Sequence, residues 1–456
     1  MPASNLILFA EVAPWIQPLW MICLGFLLAM IVAGAVYGVA RLISRPFAAT
    51  LEELALDGLL QPLLYVAAVP AAIGLLSLPF VNYSDVFTQV YPAASTYKYG
   101  EIEVTAQITT EPNGNIRMEL TPVEGGETKV ITARGFRELP AIDFQAFEIY
   151  RASQRPFFGP DLLLVLGTAV FFLVLMLLVL GLRLLFPKVA AIALAAMREG
   201  IAQPLFWVCA TVGSFLLLLF IWIPYHTFGE DIKMLKDTGL MLIMLTSIVL
   251  AVWNASVSIA SEIEGRTALT LLSKPVGRRE FVFGKFFGVL GPVVVLFFVL
   301  GLVFLVTVSY KVVYEGQEYG KPDVSYEQCT AELVQILPGL ALAFMETVVL
   351  AAISVAISTR LPMAANMLIC ASIYGLGHIV PLLVQSSVGM LEPVQFVGQL
   401  IATVLPVFEH FNMYPAIAGG REVPLDYLLT AGVYCLTYTG FALLGALLLF
   451  EDRDLA

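Results

Sequence analysis

Long apolar stretches separated by short polar ones run through most of the chain, in a pattern typical of membrane-spanning helices. A stretch of about 18 or more apolar residues is long enough for an α-helix to cross the hydrocarbon layer of a bilayer. The second stretch is the weakest, because Pro70 lies in its middle. The pattern predicts an all-α polytopic membrane protein with about nine transmembrane helices. These spans cover roughly 16–42, 60–80, 161–186, 204–225, 239–260, 282–309, 334–358, 363–386 and 425–450.

The segment between the second and third predicted spans has a different period. Apolar and polar residues alternate in KYGEIEVTAQITTEP and again in NIRMELTPV, as they do in half-buried β-strands. Asn113-Gly114 lies between the two runs and is a strong hairpin-turn signal. We therefore predict one small β-rich extracytoplasmic domain, residues 81–158, inserted between the second and third spans. We find no catalytic constellation in its sequence.

The composition agrees with a membrane location and argues against nucleic-acid binding. Hydrophobic residues make up 59% of the chain and charged residues 13%, and the mean hydropathy is +0.88. A soluble domain carries about 25% charged residues. The net charge is −11 and the sequence has no long basic run that could bind a phosphate backbone, so we expect no nucleic-acid partner. The five cysteines have no metal-ligand spacing, and we expect no bound metal.

The basic residues of the short loops predict the orientation, because cytoplasmic loops are enriched in Lys and Arg. If the N-terminus is outside and the C-terminus cytoplasmic, 12 basic residues fall on the cytoplasmic side and 5 in the short outer loops. The other seven of the 24 lie in 81–158, which the rule does not count. We therefore predict this orientation for a multi-pass protein of the cell (inner) membrane.

The polar stretch EIEGRTALTLLSKPVGRREFVFGKFFG, residues 262–288, lies between the fifth and sixth predicted spans. Its first part predicts a short helix that runs to Leu272, because the residue before Pro275 disfavours helical backbone. The chain then turns and the next membrane helix begins. Gly284 and Gly288 form a GxxxG pair on that helix, which would let a neighbouring helix approach closely. A short cytoplasmic helix held between two spans can pass a push from a soluble partner to the membrane helices.

This stretch resembles the signature of permease subunits of type-2 ATP-binding-cassette (ABC) transporters. The usual pattern is a Glu, then Gly-Thr, then Leu-Leu-Ser-x-Pro-Val-Ser-Arg, with Gly-Lys a few residues on. Two residues depart from it: Arg266 separates the glycine from the threonine, and Gly277 stands where a serine is common. The resemblance extends over 191–456, where six spans fit the family's core, and does not cover the first 190 residues. The matching residues are Glu262, Gly265, Thr267, Leu271, Leu272, Ser273, Pro275, Val276, Arg278, Gly284 and Lys285.

The resemblance implies a coupling helix at 262–279 that docks on a separate ATP-binding subunit; the alternative is an ordinary basic loop. The chain has no Gly-x-x-x-x-Gly-Lys-Ser/Thr motif, so ATP and Mg are expected on that partner and no cofactor on this chain. The family also implies a second permease subunit, in a homo- or heterodimer, and in most members export. The residues that it assigns to ATPase coupling are Glu262, Gly265, Thr267, Leu271, Leu272, Pro275, Arg278 and Lys285.

Two further segments fit the resemblance. Residues 188–202 could form an interfacial helix on the cytoplasmic surface, where the family has a helix that touches the ATPase. LPVFEHFNMYP, 405–415, resembles a family region that partly re-enters the membrane; the alternative is an ordinary loop capped by aromatic residues. The predicted regions are 1–80 (an N-terminal pair of transmembrane helices), 81–158 (the β-rich domain), 159–190 (the third transmembrane helix and a cytoplasmic linker) and 191–456 (the six-helix permease core).

Motifs of enzymes are missing, but one buried carboxylate is predicted. The sequence contains no HExxH, no GxSxG and no paired intramembrane aspartates, so we expect a transport subunit and not an enzyme. Glu346 lies near the middle of the seventh span, where an ionised carboxylate costs roughly 3 kcal/mol on insertion scales. We expect it in a translocation path or in a structural hydrogen bond to another helix. His378, in the eighth span, is expected to be a hydrogen-bonded packing residue.

Two functions of other classes stay open. The same coupling could pull on 81–158 and act on envelope partners without moving a solute. An ion-coupled secondary transporter would instead work without any ATPase, with Glu346 as its proton carrier. The cargo is not predicted, although apolar spans suit a lipidic or amphipathic one.

Two ten-residue segments are similar to each other. DGLLQPLLYV, residues 57–66, aligns with EGIAQPLFWV, residues 199–208, and each leads into a predicted span. Both have a Gln-Pro pair, and proline is well suited to the first turn of a helix. An ancient duplication and two helices that merely begin in the same way explain the similarity equally well.

Overall fold

The protein divides into two compact units, one made of Met1–Glu11 with Leu76–Leu163 and the other of Val12–Leu75 with Leu164–Ala456. The computed structural model describes residues 14–77, 95–99, 102–110, 116–122, 129–133, 160–223, 230–260, 277–318, 324, 326–386, 396, 405–421 and 423–451.

The first unit contains a four-stranded antiparallel sheet in the order β1-β2-β3-β4. Each strand pairs with the next one along the chain, and the β2–β3 register sets Val104 opposite Pro122. The two alternating sequence runs contain β2 and β3, while the predicted Asn113-Gly114 turn lies outside the described residues. The strands are β1 Ser95–Tyr99, β2 Ile102–Thr110, β3 Ile116–Pro122 and β4 Lys129–Ala133.

The rest of the described chain is helical. A π-helical turn, Ser256–Ala260, continues α7, and a 3-10 turn, Phe408–Phe411, precedes α11. The α-helices are α1 Ile16–Ile43, α2 Arg45–Leu56, α3 Gln61–Ser77, α4 Pro160–Leu185, α5 Pro187–Ala202, α6 Pro204–Leu219, α7 Asp231–Ala255, α8 Arg278–Glu318, α9 Tyr326–Ser358, α10 Met363–Ser386, α11 Tyr414–Ala418 and α12 Leu425–Glu451.

Six helices of the described residues are long and apolar enough to cross a membrane, namely α1, α4, α7, α8, α9 and α12, and the number rises to eight if each of two bent helix pairs is one span. The structure therefore supports an all-α, multi-pass membrane protein. The apolar helix Met363–Ile379, within α10, is shorter than a full span. A count of nine spans stays a prediction.

The two bent pairs contain the two similar sequence segments. α2 and α3 meet at 76°, and α5 and α6 meet at 60°. In each pair the second helix begins at the Gln-Pro dipeptide, since α3 starts at Gln61 and α6 starts just after Gln203. The bends also contact each other, because Arg198 Nη2 donates to the backbone oxygen of Asp57 at 2.5 Å. The shared sequence therefore corresponds to a shared local geometry.

Helix α8 is the centre of the second unit. Its 41 residues measure roughly 60 Å at about 1.5 Å per residue, against a hydrocarbon thickness of about 30 Å. Apolar side chains of α8, among them Leu296 and Phe304, are fully buried against the neighbouring helices. On the outside of the unit, large apolar side chains such as Leu436 and Phe441 are more than 70% exposed, which suits a surface that faces lipid.

Candidate functional site

The predicted coupling segment is described only at its two ends. Glu262, Gly265, Thr267, Leu271, Leu272 and Pro275 lie outside the described residues, which stop at Ala260 and resume at Gly277. Arg278 is the first residue of α8 and is exposed. Lys285, in contrast, is only 3% exposed, so its side chain points into the protein. The described residues on either side of 261–276 therefore show how the two ends of the segment, which we call its base, are held.

A buried lysine joins the two ends of this base. Lys285 Nζ donates to the backbone oxygen of Ser258 at 3.0 Å and to its Oγ at 2.9 Å. Ser258 belongs to the π turn that precedes the segment, and Lys285 belongs to α8, which follows it. A buried ammonium group without hydrogen-bond acceptors is costly, so these two bonds stabilise the charge of Lys285 and also fix the position of the π turn. We call this contact the base tie.

The first turn of α8 is held by a carboxylate. Glu280 Oε2 accepts a hydrogen bond from the backbone N–H of Gly277 at 2.8 Å, and Glu280 Oε1 lies 3.3 Å from Lys188 Nζ of α5. A glutamate at the third helical position that accepts from the N-cap amide is half of a capping box. Its negative charge also suits the positive end of the helix dipole. The return end of the segment is thus attached to α5 as well as to α8.

Gly284 and Gly288 form the contact between α8 and α5. A Cβ added at Gly284 would lie 2.7 Å from Ile192 Cβ, and one added at Gly288 would lie 2.5 Å from Ala196 Cβ. Both distances are shorter than van der Waals contact, so any larger residue would force the helices apart. The close approach expected of the GxxxG pair is made with α5, the helix predicted at 188–202.

A buried asparagine connects the π turn to two further helices. Asn366 Nδ2, in α10, lies 2.7 Å from Ser256 Oγ and 2.8 Å from the Oγ atoms of both Ser354 and Ser358 of α9, so three hydroxyls share its two N–H donors. Cys370 Sγ lies 3.3 Å from Asn366 Oδ1. All these groups are buried, where satisfied polar networks specify how helices pack. We call this cluster the inner polar node.

Glu346 of α9 lies in a second buried polar site. It is fully buried, and its Oε1 is 3.4 Å from His378 Nε2 of α10. His378 Nδ1 lies 3.1 Å from the backbone oxygen of Tyr374. Neither carboxylate oxygen has a hydrogen-bond partner among the described residues. His378 therefore has the hydrogen-bonding role expected of it and, in addition, contacts the carboxylate that the sequence places inside a span.

The segment 405–415, predicted to lie on the outer side, packs on the same part of α10. His378 stacks on Phe408 with ring centroids 5.6 Å apart and an interplanar angle of 27°. A Cβ on Gly377 would lie 2.5 Å from the Phe408 ring and 2.7 Å from Pro406 O, so the segment is pressed against the α10 backbone. Tyr414 then donates to Met244 Sδ of α7 at 3.0 Å. The segment contains the 3-10 turn and the start of α11, and whether it re-enters a membrane stays a prediction.

Ion pairs hold the opposite ends of the long helices. Lys311 Nζ of α8, 1% exposed, lies 3.3 Å from Asp231 Oδ2 and donates to the backbone oxygen of Ile221 at 3.1 Å. Lys236 of α7 pairs with Glu332 of α9. These contacts join the C-terminal part of α8 to the N-terminal parts of α7 and α9. The predicted outer face is thus held by buried charges.

Sequence reasoning missed the polar node and the base tie. Asn366, Ser256 and Ser258 are polar residues inside otherwise apolar runs, and Ser354 and Ser358 are one helical turn apart. Such polar positions in predicted spans were a usable signal, because they must find partners on other helices. Among the described residues no group of three or more His, Cys, Asp or Glu side chains is placed to hold a metal ion.

Comparisons with known proteins add no family to this geometry. No protein-family model matches the chain, and no curated protein matches it with significant sequence similarity.

Proposed function

We propose that this protein is the membrane-spanning permease subunit of an ABC transporter, with export as its direction. The observation that carries the proposal is the base tie, because it closes the segment 261–276 at its root with a buried Lys285–Ser258 contact. A segment that bears the family's motif and has a rigid root is suited to receive a push from a soluble partner. ATP and Mg would be bound by that partner.

The described contacts offer a route for such a push. From the segment, one end leads through the π turn, where Ser256 contacts the inner polar node and thereby α9 and α10. The other end leads into α8, whose first turn is attached to α5 through Glu280 and Lys188. Movement of a rigid root would therefore reach four helices at once. Coupling through contiguous packed elements requires this kind of connection.

The remaining parts of the proposal concern the membrane and the assembly. Nine spans, an outer N-terminus, a cytoplasmic C-terminus and a cell (inner) membrane location agree with the distribution of basic residues. Two permease subunits would pair, each engaging one ATP-binding subunit through 262–279. The residues 81–158 would form the β-rich domain outside the membrane, and its antiparallel strands support that part of the proposal.

The test is a pull-down of the tagged protein from its native membrane, followed by identification of any nucleotide-binding subunit. We would compare the unaltered protein with a Glu262→Ala, Arg278→Ala double variant. The matched control is Glu53→Ala with Arg183→Ala, which removes a partly exposed 2.7 Å ion pair on the same predicted face. We expect an ATPase with the unaltered protein and the control, and much less with the double variant. If the unaltered protein brings down no ATPase, the proposal fails.

A second candidate function is mechanical signalling to envelope partners. It is favoured by the meander sheet of the first unit, because its end strands β1 and β4 each pair with a described strand on one side only, and edge strands can pair with another chain. An ATPase stimulated by a solute would support transport. An activity that needs a protein contact within 81–158, and is unaffected by any solute, would support signalling.

A further inference from the structure

We propose that Glu346 and His378 together bind one proton, and that this proton holds the outer segment 405–418 in its closed position. The inference does not depend on the proposed function, because it needs no ATPase. It begins with the hydrogen-bonding roles of the imidazole ring.

The ring has one donor and one acceptor nitrogen when it is neutral. His378 Nδ1 lies 3.1 Å from the backbone oxygen of Tyr374, and a carbonyl oxygen can only accept, so Nδ1 carries hydrogen. The lone pair of Nε2 then faces Glu346 Oε1 at 3.4 Å. A hydrogen bond between these two atoms requires one proton, carried by either the carboxyl or the ring. Without it, two acceptor atoms face each other.

Burial makes this proton important for stability. Glu346 is fully buried and its carboxyl oxygens have no hydrogen-bond partner among the described residues, so an ionised carboxylate beside a neutral ring is strongly disfavoured. Two neutral groups or an ion pair each satisfy both atoms. Loss of the proton therefore disfavours the contact between α9 and α10 at this level. The proton leaves in hydrated form once water reaches the carboxyl group, and Glu346 remains as a carboxylate.

The segment 405–418 packs directly against this pair. His378 stacks on Phe408, which is fully buried, and Gly377 is pressed against the same ring. A shift of His378 away from an ionised Glu346 therefore disturbs the surface on which the segment rests.

The other titratable groups around the site do not supply the missing donor. Tyr414 of α11 donates to Met244 Sδ, and Tyr374 of α10 contacts the His378 ring, with ring centroids 4.7 Å apart. Asp237 lies on α7, and α12 presents Cys435, whose Sγ contacts the backbone oxygen of Met345. Loss of the proton that Glu346 and His378 share is thus the change that alters the contact between α9 and α10.

The test measures amide hydrogen exchange of 405–418 in the full chain, reconstituted in lipid nanodiscs, as a function of pH. Rates are divided by the intrinsic rates of the same peptides unfolded. Because the closed state binds one more proton than the open state, opening is rare at low pH. It rises with pH by up to about tenfold per pH unit over the titration range. Glu346→Gln carries a permanent donor, so its corrected exchange should not change with pH.

Two controls keep the test decisive. Glu409→Gln removes a partly exposed carboxylate from the same segment and should behave like the unaltered protein. His378→Asn replaces the ring with an amide, which can donate to an ionised Glu346 as well as accept from a protonated one, so the pH dependence should also weaken. This variant decides the comparison if Glu346→Gln does not fold. A flat profile in the unaltered protein, or the same slope in it and in Glu346→Gln, would overturn the proposal.

Discussion

Replacing Lys285 with methionine isolates the base tie. Methionine has a similar length and adapts to irregular space, so Lys285→Met keeps most of the packing volume and removes the donors. Ser258 then loses two hydrogen bonds, to its backbone oxygen and to its Oγ. The root of the segment 261–276 should open more often as a result.

The size of the effect follows from the two lost bonds. Hydrogen bonds to charged groups contribute about 1.5–3 kcal/mol in soluble proteins, but those between membrane helices average about 0.6 kcal/mol and reach about 1.7. The substitution also removes the desolvation cost of the buried ammonium, which favours the smaller values. We therefore expect a loss of about 1–3 kcal/mol, or an opening equilibrium of the π turn raised roughly 5- to 150-fold.

Amide hydrogen exchange of residues 256–260, measured in nanodiscs, reports this opening directly. The matched control is Lys188→Met, because the Lys188 side chain is 53% exposed and its ion pair is screened by solvent. Its exchange in the π turn should stay close to that of the unaltered protein. Unchanged exchange in Lys285→Met, or an equal rise in both variants, would refute the idea that the buried lysine holds the root.

Three further substitutions test the packing and the other polar contacts. Gly288→Leu should lower the melting temperature by overpacking α5 at a cost of about 1–3 kcal/mol, whereas Gly167→Leu, with open space around it, should not; equal effects would contradict the packing role. Asn366→Leu removes the donor that three serine hydroxyls share and should lower the free energy of unfolding by about 1–3 kcal/mol in thermal unfolding. An unchanged melting temperature would show that the inner polar node does not stabilise the fold. Lys311→Met leaves the buried Asp231 carboxylate opposite an apolar side chain and should cost about 3–5 kcal/mol. Adding Asp231→Asn should recover part of that loss, and no recovery would show that the pair is not coupled.

The polar contacts of the helical unit are gathered at three levels. The base tie and the inner polar node surround the π turn, Glu346 and His378 lie beside the segment 405–418, and the Lys311–Asp231 pair lies at the far ends of the helices. Around these contacts most buried side chains of the core are apolar. A movement that begins at the π turn must therefore travel through rigid packing, which passes displacement on well.

The sequence predicted the helices well because their length is imposed by the bilayer. A chain in lipid must satisfy its backbone internally, so apolar runs such as 16–42 and 425–450 become helices whatever surrounds them. The same reasoning singled out Glu346, since a carboxylate in an apolar run must find a special environment. The number of spans was harder to predict, because the bends near Gln61 and Gln203 depend on local geometry and on the contact between the two bent helix pairs.

The choice of partners was decided only by the tertiary structure. The sequence listed Lys285 with the coupling residues, but the fold buries it against Ser258, 27 positions away. Asn366 meets Ser256 across 110 positions. Such contacts depend on how each helix is rotated and how deeply it lies against its neighbours, and the hydrophobic pattern of a membrane helix carries little of that information, because lipid and protein interior are equally apolar. The sequence by itself therefore determined which segments are helices and which side chains need partners, and the packing of α7, α8, α9 and α10 determined which partners they have.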